Sequence, residues 1–222
     1  MSKLVWDKVS ERLYETGVSK GVLFVNNAGT YGAGVAWNGL TAVTESPSGA
    51  EANPFYADDI KYLNIMSAEE FGGTIEAYMY PDEFAVCDGS AALVDGVYIG
   101  QQPRKSFGFA YRTVLGNDTD GNEYGYKLHL VYGAQASVSE KAYASINESP
   151  EPNTFSWEFT TTPVDVTGHK PTSTVVIDST KVDKDKLAAF EAILYGSDGE
   201  GDGKEPRLPL PDEVATLLGK AA

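Results

Sequence analysis

A single cysteine, Cys87, leaves the chain without an intrachain disulfide, a CxxC redox pair or a cysteine zinc cluster. The lone thiol reads as a small buried hydrophobe. Histidine, the side chain that most often serves as general base or metal ligand, is almost as scarce. His129 lies in a strand-like run between Leu128 and Leu130, and His169 lies in a Gly-His-Lys turn. Neither stands beside a nucleophile motif, and both read as structural. Gly-x-Ser-x-Gly, the P-loop, His-Glu-x-x-His and the dinucleotide fingerprint are all missing. Gly29-Thr30-Tyr31-Gly32-Ala33-Gly34 has the glycines of a phosphate loop, but no helical pattern follows it, so it reads as a turn. Basic residues are few: 17 Lys and Arg against 32 Asp and Glu give a net charge of −15. Affinity for nucleic acid comes largely from cationic contacts to phosphate, and no basic patch is present to supply them. Apolar runs approaching the roughly 20 residues of a membrane helix are also missing. Residues 1–12 carry charges throughout and lack the apolar core of a signal peptide. The expectation is a chain that folds in a cytoplasm and is not exported by a cleaved signal.

Acidic groups are plentiful, yet they do not assemble into chemistry. Asp118-Thr119-Asp120-Gly121-Asn122 begins like a calcium loop, but its flanks read as strands and no Glu stands at the twelfth position. The stretch from Gly196 to Gly203 is equally acidic and reads as a flexible linker. Asp58-Asp59 and Glu69-Glu70 are adjacent pairs, which a strand would send to opposite faces. No catalytic residue, no metal site and no cofactor are expected, and the chain is not expected to be an enzyme.

What is present is the material of a β-protein. The 222 residues are 42% hydrophobic and include 13 Tyr and 23 Gly, enough for one sizeable core with many turns. Strand patterns occupy 20–27, 35–44, 56–66, 74–80, 107–115, 124–132, 155–160 and 172–178. In 74–80, Ile75, Ala77 and Met79 alternate with Thr74, Glu76, Tyr78 and Tyr80. Residues 45–54 read as an exposed loop, 116–123 as a hairpin loop, and 81–86 as a short helix begun by Pro81. Near the end, 183–195 has a helical apolar face with Asp183 as N-cap, and a short helix follows Pro211 through Leu218. Period-two alternation without a βαβ rhythm implies antiparallel sheets. The expected organisation is an N-terminal arm over 1–19, a β-domain with a flanking helix over 20–195, and a C-terminal linker and short helix over 196–222.

Several blocks carry a further resemblance. They are Tyr56-Ala57-Asp58-Asp59-Ile60-Lys61-Tyr62-Leu63, Ser67-Ala68-Glu69-Glu70-Phe71-Gly72-Gly73-Thr74-Ile75-Glu76-Ala77-Tyr78 and Tyr80-Pro81-Asp82-Glu83-Phe84. Further on come Tyr124-Gly125-Tyr126-Lys127-Leu128-His129-Leu130-Val131-Tyr132-Gly133, Ser156-Trp157-Glu158-Phe159-Thr160-Thr161-Thr162-Pro163 and Leu208-Pro209-Leu210-Pro211-Asp212-Glu213-Val214. In number and order they resemble the major tail proteins, or tail-tube proteins, of siphophages of Gram-positive bacteria. The resemblance implies a two-sheet β-sandwich or half-barrel with a flanking helix and short C-terminal helices. It also implies hexameric rings that stack into a tube, the conduit for DNA ejection. The implied partners are other copies of the chain and the tape-measure, tail-tip and tail-terminator proteins. Double-stranded DNA would only pass through, without specific binding. The implied location is the virion tail, non-contractile, after synthesis and assembly in the host cytoplasm. An acidic bore would repel phosphates, and Asp58, Asp59, Glu76 and Glu158 are the candidate lumen acids. Trp6, Glu45, Pro47 and Pro54 are candidate inter-ring contacts, together with the segment after Gly196. Two other readings stay open on the residues alone. One is a β-sandwich binding or decoration module for carbohydrate or cell surfaces, for which the many Tyr would serve. The other is a catalytic β-protein.

Overall fold

Period-two runs become strands, and the two apolar-faced segments near the C-terminus become helices. The structure, a computed structural model, describes residues 3–146, 148–198 and 203–219. Its first strands are β1 (Leu13–Asn27), β2 (Thr30–Tyr31), β3 (Val35–Trp37) and β4 (Leu40–Glu45). β5 (Ser48–Gly49), β6 (Ala52–Ala57), β7 (Ile60–Met66), β8 (Glu69–Glu70) and β9 (Gly72–Ala77) follow. A 3-10 turn, Asp82–Phe84, runs into α1 (Ala85–Asp88), then β10 (Ala91–Val94) and β11 (Val97–Ile99). The second half holds β12 (Phe107–Asn117), β13 (Gly121–Ala136), β14 (Phe155–Thr161), β15 (Thr174–Asp178), α2 (Lys184–Leu194) and α3 (Pro211–Leu218). The protein is mainly β, with a few short helices.

One nine-stranded antiparallel sheet runs in the order β2-β1-β12-β13-β14-β9-β4, with β15 on β13 and β3 on β1. It curls around a first core of Leu23, Trp37, Ile75, Phe84, Phe109 and Trp157, until β4 lies against β1. The reverse face of β1, β12 and β13 presents Val22, Phe24, Ala110, Leu128, Leu130 and Tyr132 to α2 and α3. These central strands are therefore buried on both faces. Gly133 sits where β13 leaves β15 and joins β14. Its φ is 60°, and a Cβ there would lie 2.2 Å from the Thr162 carbonyl oxygen, so only glycine fits the bend. α2 starts on Asp183, whose carboxylate accepts from the Asp185 and Lys186 amides at 3.1 Å, a cap worth about 1 kcal/mol. α3 docks through Val214, and Leu208 just before it joins the same core. Of the C-terminal segment, residues 199–202 and 220–222 lie outside the described residues.

Several local expectations are corrected. Residues 35–44 are two strands, because Gly39 at φ 77° turns the chain between β3 and β4. Residues 56–66 are not one strand. Asp58 and Asp59 both have positive φ, 49° and 61°, and form a two-residue hairpin turn. Nor are residues 45–54 an open loop. The pairs Val43–Ile75, Glu45–Gly73, Ser48–Glu70, Gly49–Glu69, Ala52–Met66 and Phe55–Leu63 keep a single register. Residues 40–77 thus form one long hairpin that leaves the barrel at Glu45 and turns at Asp58-Asp59. The small hairpin β10–β11 was not expected either. The first strand begins at Leu13, within the segment expected to be an arm.

Candidate functional site

Three features stand out on this frame: a sheet face without helices, the long hairpin, and a partly buried polar cluster where β1 and β4 meet. The face belongs to β4, β9 and β14. Registers place Ala42, Glu76 and Ser156 in one row, and Thr44, Thr74 and Glu158 in the next. Gln135 of β13, paired with Thr160, extends the surface. The intervening Val43, Ile75, Trp157 and Phe159 turn into the first core. None of the residues packed beneath α2 and α3 comes from these three strands. Glu76 is partly buried and Glu158 exposed. The rows contain acids, hydroxyls and small side chains, with no Lys or Arg.

The hairpin beyond Glu45 forms an arm. Its strands from Ser48 to the turn span roughly 33 Å at ~3.3 Å per residue. Every residue of β6 and β7 is exposed. Tyr56 and Tyr62 are each 70% exposed and Ile60 is 64% exposed. Phe55, Leu63 and Ile65 share one face by register. β6 pairs only with β7, so both outer edges of the arm are unpaired among the described residues. Asp58 and Asp59 stand at the tip rather than on a sheet face. Pro47 lies at the root and Pro54 within β6, where it supplies no ladder N–H. Trp6, 72% exposed, precedes β1. The segment carrying Trp6 is tied back where the Asp118 carboxylate accepts from the Ser10 amide at 2.9 Å.

The third feature was not foreseen. Glu45, expected as an outward contact, accepts a hydrogen bond from the Tyr111 hydroxyl at 2.6 Å. Tyr111 stacks on His129, with ring centroids 4.6 Å apart and planes inclined by 3°. Thr113 donates to Glu15 at 2.5 Å, and Lys127 pairs with Glu15 at 2.6 Å. His129 is 8% exposed, with Nε2 2.9 Å from Thr113 Oγ1. The alternation of Leu128, Leu130 and Tyr132 with Lys127, His129 and Val131 was visible, but both faces are covered, so it could not show which one entered the barrel.

The cluster sets an acid limit on stability. Glu45 titrates below the ordinary 4.5, chiefly because of the His129 ring, with burial opposing and Tyr111 assisting. For Glu15, burial raises the carboxyl, but hydrogen bonds from Lys127 and Thr113 together bring it below 4.5. A carboxyl depressed on folding stabilises above its unfolded value and loses that contribution as pH falls through its folded value. Thermal melts should therefore drop progressively as the pH falls below about 4.5. Substituting Gln at both positions should flatten that drop, and an unchanged acid limb would exclude the cluster as its source.

No family model matches the chain, and no curated protein matches it. Among solved structures, it is similar to a chain from the cryo-EM structure of the anti-feeding prophage (AFP) baseplate, 6-fold symmetrised. That likeness covers 78% of this chain and 97% of the other, at 9% identity and a TM-score of 0.36. No helix among the described residues is long and apolar enough to cross a membrane.

Proposed function

We propose that the chain is a non-enzymatic virion subunit that polymerises into the tail tube of a phage, through which DNA passes during ejection. The observation that carries this reading is the arm: a hairpin continuous in register with the barrel, fully exposed, apolar on one face and unpaired at both edges. An isolated two-stranded hairpin is marginal in water, and open apolar edges invite pairing with another chain. A repeating assembly of identical copies gives each arm a partner, and ring closure with stacking is the symmetric way to do so. The face of β4, β9 and β14 supplies the bore. Acids and hydroxyls there offer phosphates nothing to replace their counterions, so DNA slides without being held. Glu76 and Glu158 are its lumen acids, while Asp58 and Asp59 meet a neighbouring copy at the arm's tip. The tape-measure, tail-tip and terminator proteins are the further partners.

Electron microscopy of the purified chain at high concentration tests the assembly. Rings or tubes with a central hole are expected. A solitary monomer at every concentration, above all one that binds glycans, would replace this reading with a recognition module. A second experiment addresses the wall. Glu76→Lys with Glu158→Lys should leave tubes intact but slow DNA ejection, measured as lost infectivity of particles with normal tails. Full infectivity would remove both residues from the bore.

A further inference from the structure

The seam between β1 and β4 is where the barrel closes without a backbone ladder. β4 pairs only with β9, and residues 13–19 of β1 pair only with β12. Side chains cross the seam instead, and the polar ones converge on His129. Nε2 faces Glu15 Oε1 of β1 at 3.5 Å, and Nδ1 faces Glu45 Oε1 of β4 at 3.5 Å. Nδ1 is buried and has no hydrogen-bond partner.

Counting protons fixes what the ring must carry. Thr113 has one hydroxyl proton, and it goes to Glu15. Thr113 Oγ1 can then only accept from His129, so Nε2 is an N–H. On the other side, Tyr111 already donates to Glu45 Oε1. A bare Nδ1 would leave a buried lone pair 3.5 Å from that carboxylate, whereas a protonated ring sets a positive charge beside the anion. We propose that Glu15, His129 and Glu45 form a proton-locked clasp across the seam, in which His129 is protonated on both ring nitrogens and loss of one proton frees the root of the arm.

The charges agree with this assignment. The ionisable groups facing the ring are Glu15 from β1, Glu45 from β4, Tyr111 from β12 and Lys127 from β13, with the neutral Thr113 beside them. With an imidazolium, two anions balance two cations. With a neutral ring, a net negative charge stays in a partly buried site, which is unfavourable. Glu45 ends β4, and the arm begins at the next residue, so a seam released there loosens the hinge of the arm. The clasp does not depend on the tube reading, since it would order the root of the arm whatever the arm touches.

The test uses the full chain in long-range proton–nitrogen spectra at neutral pH. Only two histidines contribute, and the exposed His169 serves as internal reference. Both ring nitrogens of His129 should resonate as N–H, and Glu45→Gln should convert one to a bare nitrogen. In Glu45→Gln, amide exchange at Thr44, Glu45 (as Gln) and Thr74 should rise by about tenfold, with β12–β13 amides unchanged. Raising the pH until His129 loses its second proton should give the same pattern in the unmodified chain, after correction for intrinsic exchange. His129→Gln, which keeps a donor for Thr113 but no charge for Glu45, should reproduce it. Should that variant not fold, Glu45→Gln decides alone. A bare nitrogen on His129 in the native chain at pH 7, or unchanged exchange at the arm root in Glu45→Gln, overturns the clasp.

Discussion

If the chain polymerises as proposed, aspartate at Phe55, Leu63 and Ile65 together should abolish ring and tube formation while leaving the barrel folded. The three side chains share one face of the arm and are 50%, 40% and 54% exposed. Burying such a side chain against a partner gains about 1.5–3 kcal/mol when complete. Their exposure leaves about half of that to be realised, so three positions give roughly 2–5 kcal/mol per arm contact. Each contact would weaken by some two to three decades in affinity, and every subunit in a stacked assembly repeats the loss. The folded monomer makes little use of these side chains, because substitutions at exposed sites usually change stability by about 0.5 kcal/mol or less. Sedimentation velocity and electron microscopy, at concentrations where the native chain assembles, would show monomers of unchanged melting temperature. Normal tubes from the triple variant would mean that the arm is not the joint.

The arm differs from the other exposed apolar features. β10–β11 exposes Leu93, Val94 and Tyr98, but it is short and set beside α1. The described residues between Ser137 and Thr154 expose Val138, Tyr143 and Ile146 and form no regular structure. Among the described residues, neither is a strand of the main sheet. Among the described exposed apolar features, the arm alone transmits its orientation to the barrel through paired backbone, across β4 and β9.

The mainly β class was legible because its source is local. Alternation in 107–115 and 124–132 survives in β12 and β13, and Asp183 caps α2 as its side-chain chemistry suggests. The arm was hidden by its composition. Pro47, Gly49 and Pro54 look like loop residues, and a strand exposed on both faces has no alternation to display. The Asp58-Asp59 turn had a readable signal, since Asp tolerates the left-handed region, but Tyr and Ile on either side favoured an unbroken strand. The seam cluster was beyond reach for another reason. Glu15, Glu45, Thr113 and His129 come from four strands, and only the curl of the sheet brings them together.

Asp88→Ala is expected to be the most damaging of the small substitutions, and its cost follows from what it would leave unpaired. Asp88 ends α1, and its side chain is 7% exposed. One carboxylate oxygen accepts from Trp157 Nε1 at 3.2 Å, and the other pairs with Lys141. Burial pulls the Lys141 ammonium down, but Asp88 outweighs it and holds the group above its usual range. Trp157 sits among Trp37, Tyr80 and Phe84, with centroids 5.7, 5.2 and 5.2 Å away. Alanine would orphan the buried indole N–H and strand a cation over the Tyr80 ring, 5.0 Å from its centroid. Breaking one side of a buried ion pair costs about 3–5 kcal/mol. Lys141 is 25% exposed and can partly rehydrate, which favours the lower end, near 3 kcal/mol. For a domain of this size that lowers the melting temperature by roughly 6–12 °C. Asp88→Asn keeps an acceptor for Trp157 and should cost about half as much. Because Lys141 anchors the start of the irregular stretch before β14, proteolysis between Val138 and Asn153 should accelerate in Asp88→Ala and in Lys141→Ala alike. A cost below about 1 kcal/mol for Asp88→Ala, with unchanged cleavage, would mean that the aromatic core holds Trp157 without help from the carboxylate.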